Sequence, residues 1–283
     1  MKKLLFIFSF LLTFIIIDGQ GLLPGVVSSQ SGGSYCDEYQ AVYDAMTDPP
    51  ASDTAAAQNT MVSALVDGGY WTRMDLFYLL ANGRLANSKL EWVSAGVSYT
   101  LAEVAGGGAL SFTVYEGWTG DGTAYFNTAF NPNTSGVVSQ NDVSVGGYIR
   151  TDQDGSNKYV MGAYDGTYLT FTTRNGTSVY YRVNTGSAPS VGSQATAIGH
   201  WLASRTGANV EELFKNGVSV DTDTNASTGV PNALFSLFAL TSLGPVSVQL
   251  SIAYLMDGTN VTDAAAINTI LETYMDFLGK GIQ

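Results

Sequence analysis

Residues 117–166 read GWTGDGTAYFNTAFNPNTSGVVSQNDVSVGGYIRTDQDGSNKYVMGAYDG. Gly120-Asp121-Gly122 and Asp165-Gly166 mark tight turns, and Asn131-Pro132-Asn133 halts the run before it. Asp-Gly and Asn-Pro steps break regular structure because glycine accepts positive φ and proline cannot donate to a sheet ladder. Between the breaks lie three short runs, residues 124–130, 143–151 and 158–164, the last two separated by the polar segment 152–157. Short strands at this spacing predict an antiparallel sandwich.

The following residues keep the same rhythm and add faces to it. In 145–150, Val145 and Ile149 share one face, while Gly146, Tyr148 and Arg150 share the other. In 168–173, Leu169 and Phe171 oppose Tyr168, Thr170 and Thr172. In 178–183, Val179, Tyr181 and Val183 oppose Ser178, Tyr180 and Arg182. Successive strand side chains point to opposite faces, so the first set of each strand is expected in the core and the second toward solvent. Further strands are expected at 200–205 and 210–215. Asn216-Gly217 then forms a two-residue hairpin, because a type I′ turn needs positive φ at both central positions. This register places Leu213 opposite Val220 and Lys215 opposite Val218. The apolar runs 232–241 and 247–255 are expected as long central strands. A last helix, capped by Thr262, carries Ile267, Ile270, Leu271, Tyr274 and Leu278 on one face.

Upstream, helical spacing of apolar residues predicts helices over 37–46, 54–66 and 70–80, the first ended by Pro49-Pro50. This helical neck, 37–83, is expected to pack on the sandwich, on a partner, or on both. Residues 84–111 read as a Gly- and Ser-rich connector, and 112–283 as the sandwich with its closing helix. At the other end, Met1-Lys2-Lys3 precedes an apolar run, 4–17, that fits a secretory signal peptide (residues 1–19), with the alternative of a membrane anchor through residues 4–17. On the first reading the mature chain starts near Gln20. Residues 20–36 follow as a flexible linker.

The 283 residues carry 12 basic and 24 acidic side chains, a net charge of −12, which repels phosphate backbones and argues against nucleic-acid binding. Charged residues make up only 13% and glycine numbers 32, a balance common in β-rich proteins that work outside cells. The lone Cys36 has no partner for an intrachain disulfide.

GDGTAYFNTAF, residues 120–130, resembles the first core strand of concanavalin A-like (laminin-G-like) jelly-roll domains. Glu212-Leu213-Phe214-Lys215-Asn216-Gly217-Val218 resembles a hairpin of the same family, and Leu255-Met256-Asp257-Gly258 with Thr262-Asp263-Ala264 its final strand and short helix. More narrowly, residues 39–278 resemble tail, spike and fibre-associated proteins of phages of Bacteroidetes-type hosts. Gln58-Asn59-Thr60-Met61-Val62, Asp67-Gly68-Gly69-Tyr70-Trp71 and Ser139-Gln140-Asn141-Asp142 carry that likeness with residues 117–130. The resemblance implies a mainly β, antiparallel jelly-roll sandwich that binds rather than cuts, on a virion surface or, alternatively, as a secreted bacterial lectin-like protein. Implied partners are cell-surface carbohydrate, other virion proteins, and further copies of the chain in a homo-oligomer such as a trimer.

Two constellations stand out as candidate sites. Tyr148 with Arg150 and Tyr180 with Arg182 repeat a Tyr-x-Arg spacing on outward faces. Aromatic rings stack on sugar C–H groups, and arginine donates forked hydrogen bonds to hydroxyls and carboxylates, so the four are candidate glycan-binding residues. Ordinary cross-strand packing on a solvated face accounts for the same pattern. Asp152, Asp154 and Asn157 space oxygen ligands as at the start of a calcium loop, although the downstream glutamate is missing, and a polar turn explains them equally. Asp221, Asp223 and Asn225 form a weaker second cluster. No catalytic residues are expected: the Glu-x-Asp-x-Glu motif of jelly-roll glucanases is absent, and Glu211 and Glu212 are neighbours that point to opposite faces. The single histidine, His200, beside Trp201, reads as structural. A glycan-cleaving enzyme with an unrecognised site remains the third reading.

Overall fold

The central strands of the first sheet are buried along both faces, their side chains divided between two partners. The computed structural model describes residues 35–282 apart from 135 and 188; the signal-peptide, anchor and most of the linker assignments lie outside them. In chain order the elements are α1 (Asp37–Ala45), α2 (Ser52–Asp67), β1 (Met74–Leu79), β2 (Ala102–Val104), β3 (Ser111–Thr113), β4 (Gly117–Thr119), β5 (Tyr125–Asn127), β6 (Val143–Ile149), β7 (Tyr159–Tyr164), β8 (Tyr168–Asn175), β9 (Ser178–Thr185), β10 (Ser190–Ser193), β11 (Gly199–Gly207), β12 (Val210–Lys215), β13 (Val218–Asp223), β14 (Ser236–Leu237), β15 (Gln249–Met256) and α3 (Val261–Phe277). They form an antiparallel β-sandwich of jelly-roll type. The first sheet runs β13-β12-β11-β6-β15-β4-β3, with β1 also paired to β15. The second runs β10-β9-β8-β7-β14-β5-β2.

Between the sheets, Val145, Ile149, Leu213 and Leu250 of the first meet Leu169, Phe171, Val179, Tyr181 and Val183 of the second. The outer face of the first sheet is also covered. Tyr148, Leu202, Phe214, Ile252 and Tyr254 pack there against Tyr39 and Val42 of α1, Met61, Val62 and Leu65 of α2, and Ile267, Leu271 and Tyr274 of α3. A sheet buried on both faces needs apolar residues at nearly every position, and all eight residues of β15 are buried. The molecule is therefore layered: helices, first sheet, core, second sheet.

Several expectations are corrected by this layering. The run 70–80 is not a helix. Trp71–Arg73 form one 3₁₀ turn and β1 follows, sending Leu76, Tyr78 and Leu80 into the sandwich core and Phe77 and Leu79 under the helices. A segment apolar on both faces satisfies either period, and pairing with β15 decides for strand. The run 232–241 contributes only the two-residue β14. In the Asn216-Gly217 hairpin, both turn residues have positive φ, 51° and 74°, and Lys215 faces Val218. A bulge then shifts the ladder, so Leu213 faces Asp221 instead of Val220. The cap of α3 is Asn260, whose side chain accepts from the N–H groups of Thr262 and Asp263, two of the donors a helix start leaves open.

Candidate functional site

The outer face of the second sheet has no helix over it among the described residues, and it holds a concave pocket of about 230 Å³. Its floor is built by strand alternation. Directing Phe171 and Tyr181 into the core turns their neighbours Thr170, Thr172, Tyr180 and Arg182 outward, and Thr170 lies directly opposite Arg182 across the β8–β9 ladder. Tyr159 of β7 closes one side. Ser156, Asn157 and Pro189 supply the rim from flanking loops, and Asn175 from the end of β8.

Hydrogen bonds and ring contacts fix this floor. Thr170 donates to the Met161 carbonyl at 2.6 Å, and the Thr172 hydroxyl accepts from the Tyr180 N–H at 3.0 Å. The Arg182 guanidinium lies over the Tyr168 ring, 4.0 Å from its centroid, and Tyr168 is itself 4.3 Å from the Tyr164 ring. Arg182 makes no ion pair among the described residues, and its enclosed Nε has no hydrogen-bond acceptor there. Burial, with Tyr168 beside it, pushes the Tyr159 hydroxyl upward, and hydrogen bonding to Tyr168 raises that of Tyr164, so both stay protonated donors at neutral pH. Among the described residues no carboxylate lines the pocket.

Of the four residues proposed from the Tyr-x-Arg spacing, the structure brings together Tyr180 and Arg182 and separates Tyr148 and Arg150 from them. Strand β6 belongs to the first sheet, so its outward face points beneath α3. Tyr148 is fully buried there, donates to Glu272 Oε2 at 2.6 Å, and is pushed upward in pKa by burial and that carboxylate. Arg150 donates to Gln249 Oε1 at 3.3 Å and to the Lys280 carbonyl. The face assignment of Tyr148 opposite Val145 and Ile149 is correct; its exposure is not, because a helical layer covers that face.

Of the candidate calcium ligands Asp152, Asp154 and Asn157, the structure pairs the two carboxylates with an arginine and turns Asn157 elsewhere. A cation already sits between the two carboxylates: Arg174 Nε is 2.7 Å from Asp152 and its Nη1 is 2.7 Å from Asp154. Asp152 also accepts the Ala197 N–H and Asp154 the Gly176 N–H, at 2.7 and 2.8 Å. Burial opposes ionisation of Asp152, but the Ala197 N–H and Arg174 outweigh it and hold its carboxyl below the usual range. Asn157, in a left-handed turn, faces the pocket instead. Asp221 and Asp223 accept from the Tyr181 hydroxyl and from the Thr224 and Asn225 N–H groups. Among the described residues no cluster of three or more His, Cys, Asp or Glu could hold a metal.

His200 is buried, between Asn268 Oδ1 at 3.1 Å and the Tyr254 hydroxyl at 2.8 Å. Glu211 is fully buried against Arg205 at 2.6 Å. Neither reaches the pocket. The pocket residues that the Tyr-x-Arg spacing missed are Ser156, Asn157, Tyr159, Thr170, Thr172, Asn175, Tyr181 and Pro189. The alternation of residues 168–173 had placed Thr170 and Thr172 on the outward face, and the signal left unused was that this face continues across three neighbouring strands.

No protein-family model matches the chain, and no curated protein matches it. Solved structures do. A mutant Trypanosoma rangeli sialidase displaying trans-sialidase activity matches with a TM-score of 0.52 at 6% identity, over 81% of this chain and 40% of its own. A botulinum neurotoxin type C structure, concerned with interaction with two ganglioside molecules, matches with a TM-score of 0.51 at 10% identity, over 72% of this chain and 53% of its own. Domain 4 of a GH43 extracellular arabinanase from Geobacillus stearothermophilus, in complex with arabinotriose, matches with a TM-score of 0.46 at 15% identity, over 69% of this chain and 98% of its own. The chain thus spans about half or less of the neurotoxin and sialidase chains. At these identities the likeness shows the fold alone, a β-sandwich. Among the described residues no helix is long and apolar enough to cross a membrane.

Proposed function

We propose that the chain is a non-catalytic glycan-recognition protein whose binding site is the pocket on the outer face of the second sheet. The observation that carries this reading is the convergence of Tyr159, Tyr180 and Arg182 with Thr172, Asn157 and Asn175 on the sheet face that no helix covers. Rings offer flat apolar faces to sugar C–H groups, while Asn, Thr and Arg address hydroxyls. The pocket lining contains no pair of carboxylates to flank a glycosidic bond, which supports binding over cleavage. The ganglioside context of the botulinum neurotoxin type C match, a chain of similar fold, supports a carbohydrate ligand.

In its finer form the proposal is a spike, fibre or tail component of a bacteriophage virion that attaches to host surface glycans; the resemblance of residues 39–278 to such proteins supports it. A secreted or surface-anchored bacterial lectin-like protein is the alternative, and the apolar residues 4–17 favour it. A single shallow site binds weakly, so attachment would rest on a homo-oligomer such as a trimer, in which linked sites gain roughly 10²–10⁴ in avidity.

The test is a binding assay on whole cells and immobilised glycans with wild type and a Tyr180→Ala/Arg182→Gln double variant. Binding should be lost in the variant, with the thermal unfolding transition retained. Undiminished binding removes this pocket from consideration, and release of reducing sugars by purified protein overturns the non-enzymatic reading.

A further inference from the structure

Resting on the glycan reading just given, we infer that the pocket is built for an acidic saccharide, with Arg182 receiving the sugar's carboxylate. The chain carries a net charge of −12, yet among the described residues no acidic side chain lines this pocket. The nearby acids Asp152 and Asp154 are tied to Arg174, and Asp221 to the Tyr181 hydroxyl. Arg182 is left as the cation of the site, without an ion pair among the described residues. Its Nε–H is enclosed with no acceptor, so the hydrogen-bonding capacity of the guanidinium is not spent within the protein.

Geometry adds direction to that charge. The Tyr168 ring, its centroid 4.0 Å from the guanidinium carbon, occupies one face of the planar group, and with Nε enclosed the Nη edge is left to a ligand. A stacked guanidinium loses less freedom on binding than a mobile lysine would, and its fork matches the two oxygens of a carboxylate. One fork suits a monoanion. A phosphate dianion calls for more positive charge than this lining contains. Around Arg182, the side chains of Ser156, Asn157, Asn175 and Tyr180 can donate to the remaining oxygens and ring hydroxyls, while Tyr159 and Tyr180 present apolar ring surface. A neutral sugar would leave a desolvated cation unpaired in the complex, which discriminates against it.

The experiment is a glycan array probed with the labelled full chain. It displays neutral glycans, uronate- and sialate-terminated glycans, the same acidic glycans as carboxyl methyl esters, and sulfated analogues. The expected result is signal on carboxylated glycans that falls at least roughly tenfold on their methyl esters, the effect of losing a charge-assisted contact. Arg182→Gln should reduce acid and ester to a common level. The ester comparison needs no protein variant, so it decides even if Arg182→Gln folds poorly. Equal binding of acids, esters and neutral glycans overturns the acidic assignment while leaving glycan recognition standing. Selective binding of sulfated over carboxylated glycans overturns the carboxylate assignment. Absence of binding to every glycan overturns the assignment together with the function on which it rests.

Discussion

The guanidinium of Arg182 rests on the ring of Tyr168, 4.0 Å from its centroid, and Tyr168 in turn contacts Tyr164 at 4.3 Å. This stack crosses from β7 through β8 to β9 and sets where Arg182, the cation among the described lining residues, points. Replacing the ring should therefore affect binding without touching the pocket wall itself. Tyr168→Ala should weaken saccharide binding about two- to fivefold, the scale of one cation–π contact, whereas Tyr168→Phe keeps the ring and should stay near wild type. Titration calorimetry on both variants checks this; equal loss in the two would assign the effect to the hydroxyl instead.

Arg174 predicts the response to calcium. Because its guanidinium bridges Asp152 and Asp154, millimolar calcium or a chelator should leave the melting temperature of wild type unchanged. Arg174→Ala removes the bridge and leaves two carboxylates facing each other. That variant should melt lower and recover part of the loss when calcium is added. A rise in wild-type melting temperature with calcium would show that a metal competes with the arginine.

His200 predicts an acid sensitivity. Burial lowers its pKa from 6.5 to about 4, against a smaller opposing effect of the hydrogen bond to Asn268. The unfolded chain then takes up a proton near pH 6.5 while the folded chain stays neutral, so stability is lost as pH falls from about 6.5 to about 4 and levels off below. The loss is on the order of 3 kcal/mol at roughly 1.4 kcal/mol per pKa unit. Urea unfolding of wild type and His200→Gln at pH 7 and pH 4.5 isolates this contribution, since carboxylate titrations are common to both. The stability gap should move in favour of the variant at the lower pH.

Glu91 predicts a polar weak point beneath the helices. Its buried carboxylate accepts the N–H groups of Phe77 and Val93 through Oε1, both at 2.9 Å, and of Ser94 through Oε2 at 2.6 Å. Glu91→Ala should cost about 3 kcal/mol or more by stranding these donors. Glu91→Gln keeps one carbonyl oxygen for the first two and should recover much of that, as chemical denaturation would measure.

The parts of this molecule that a sequence shows are those where one face differs from the other. Strand β9 alternates Val179, Tyr181 and Val183 with Ser178, Tyr180 and Arg182, and both its direction into the core and its contribution to the pocket were readable. Where both faces are buried the pattern loses its meaning. Residues 70–80 matched a helical period as well as a strand, and the pairing of β1 with β15, far away in the chain, settled it. Tyr148 failed for the same reason: its outward direction was legible, but the cover supplied by α3, more than a hundred residues later, was not. Asp152 and Asp154 read as ligand oxygens because their partner, Arg174, enters from another strand.

The stacking order of the layers has a mechanical consequence. Tyr35, the first described residue, packs on Tyr39 and Tyr43 in the helical layer, while the pocket opens on the far side of the second sheet. A pull on a molecule held in the pocket, resisted at residue 35, acts across the layers rather than along the strands. The load then falls on side-chain packing between sheets, peeled face from face, instead of on backbone ladders loaded in shear. Under such a load the sandwich yields by separating its layers, so the interdigitation of Phe171 and Tyr181 with Val145 and Leu213 sets the force it withstands.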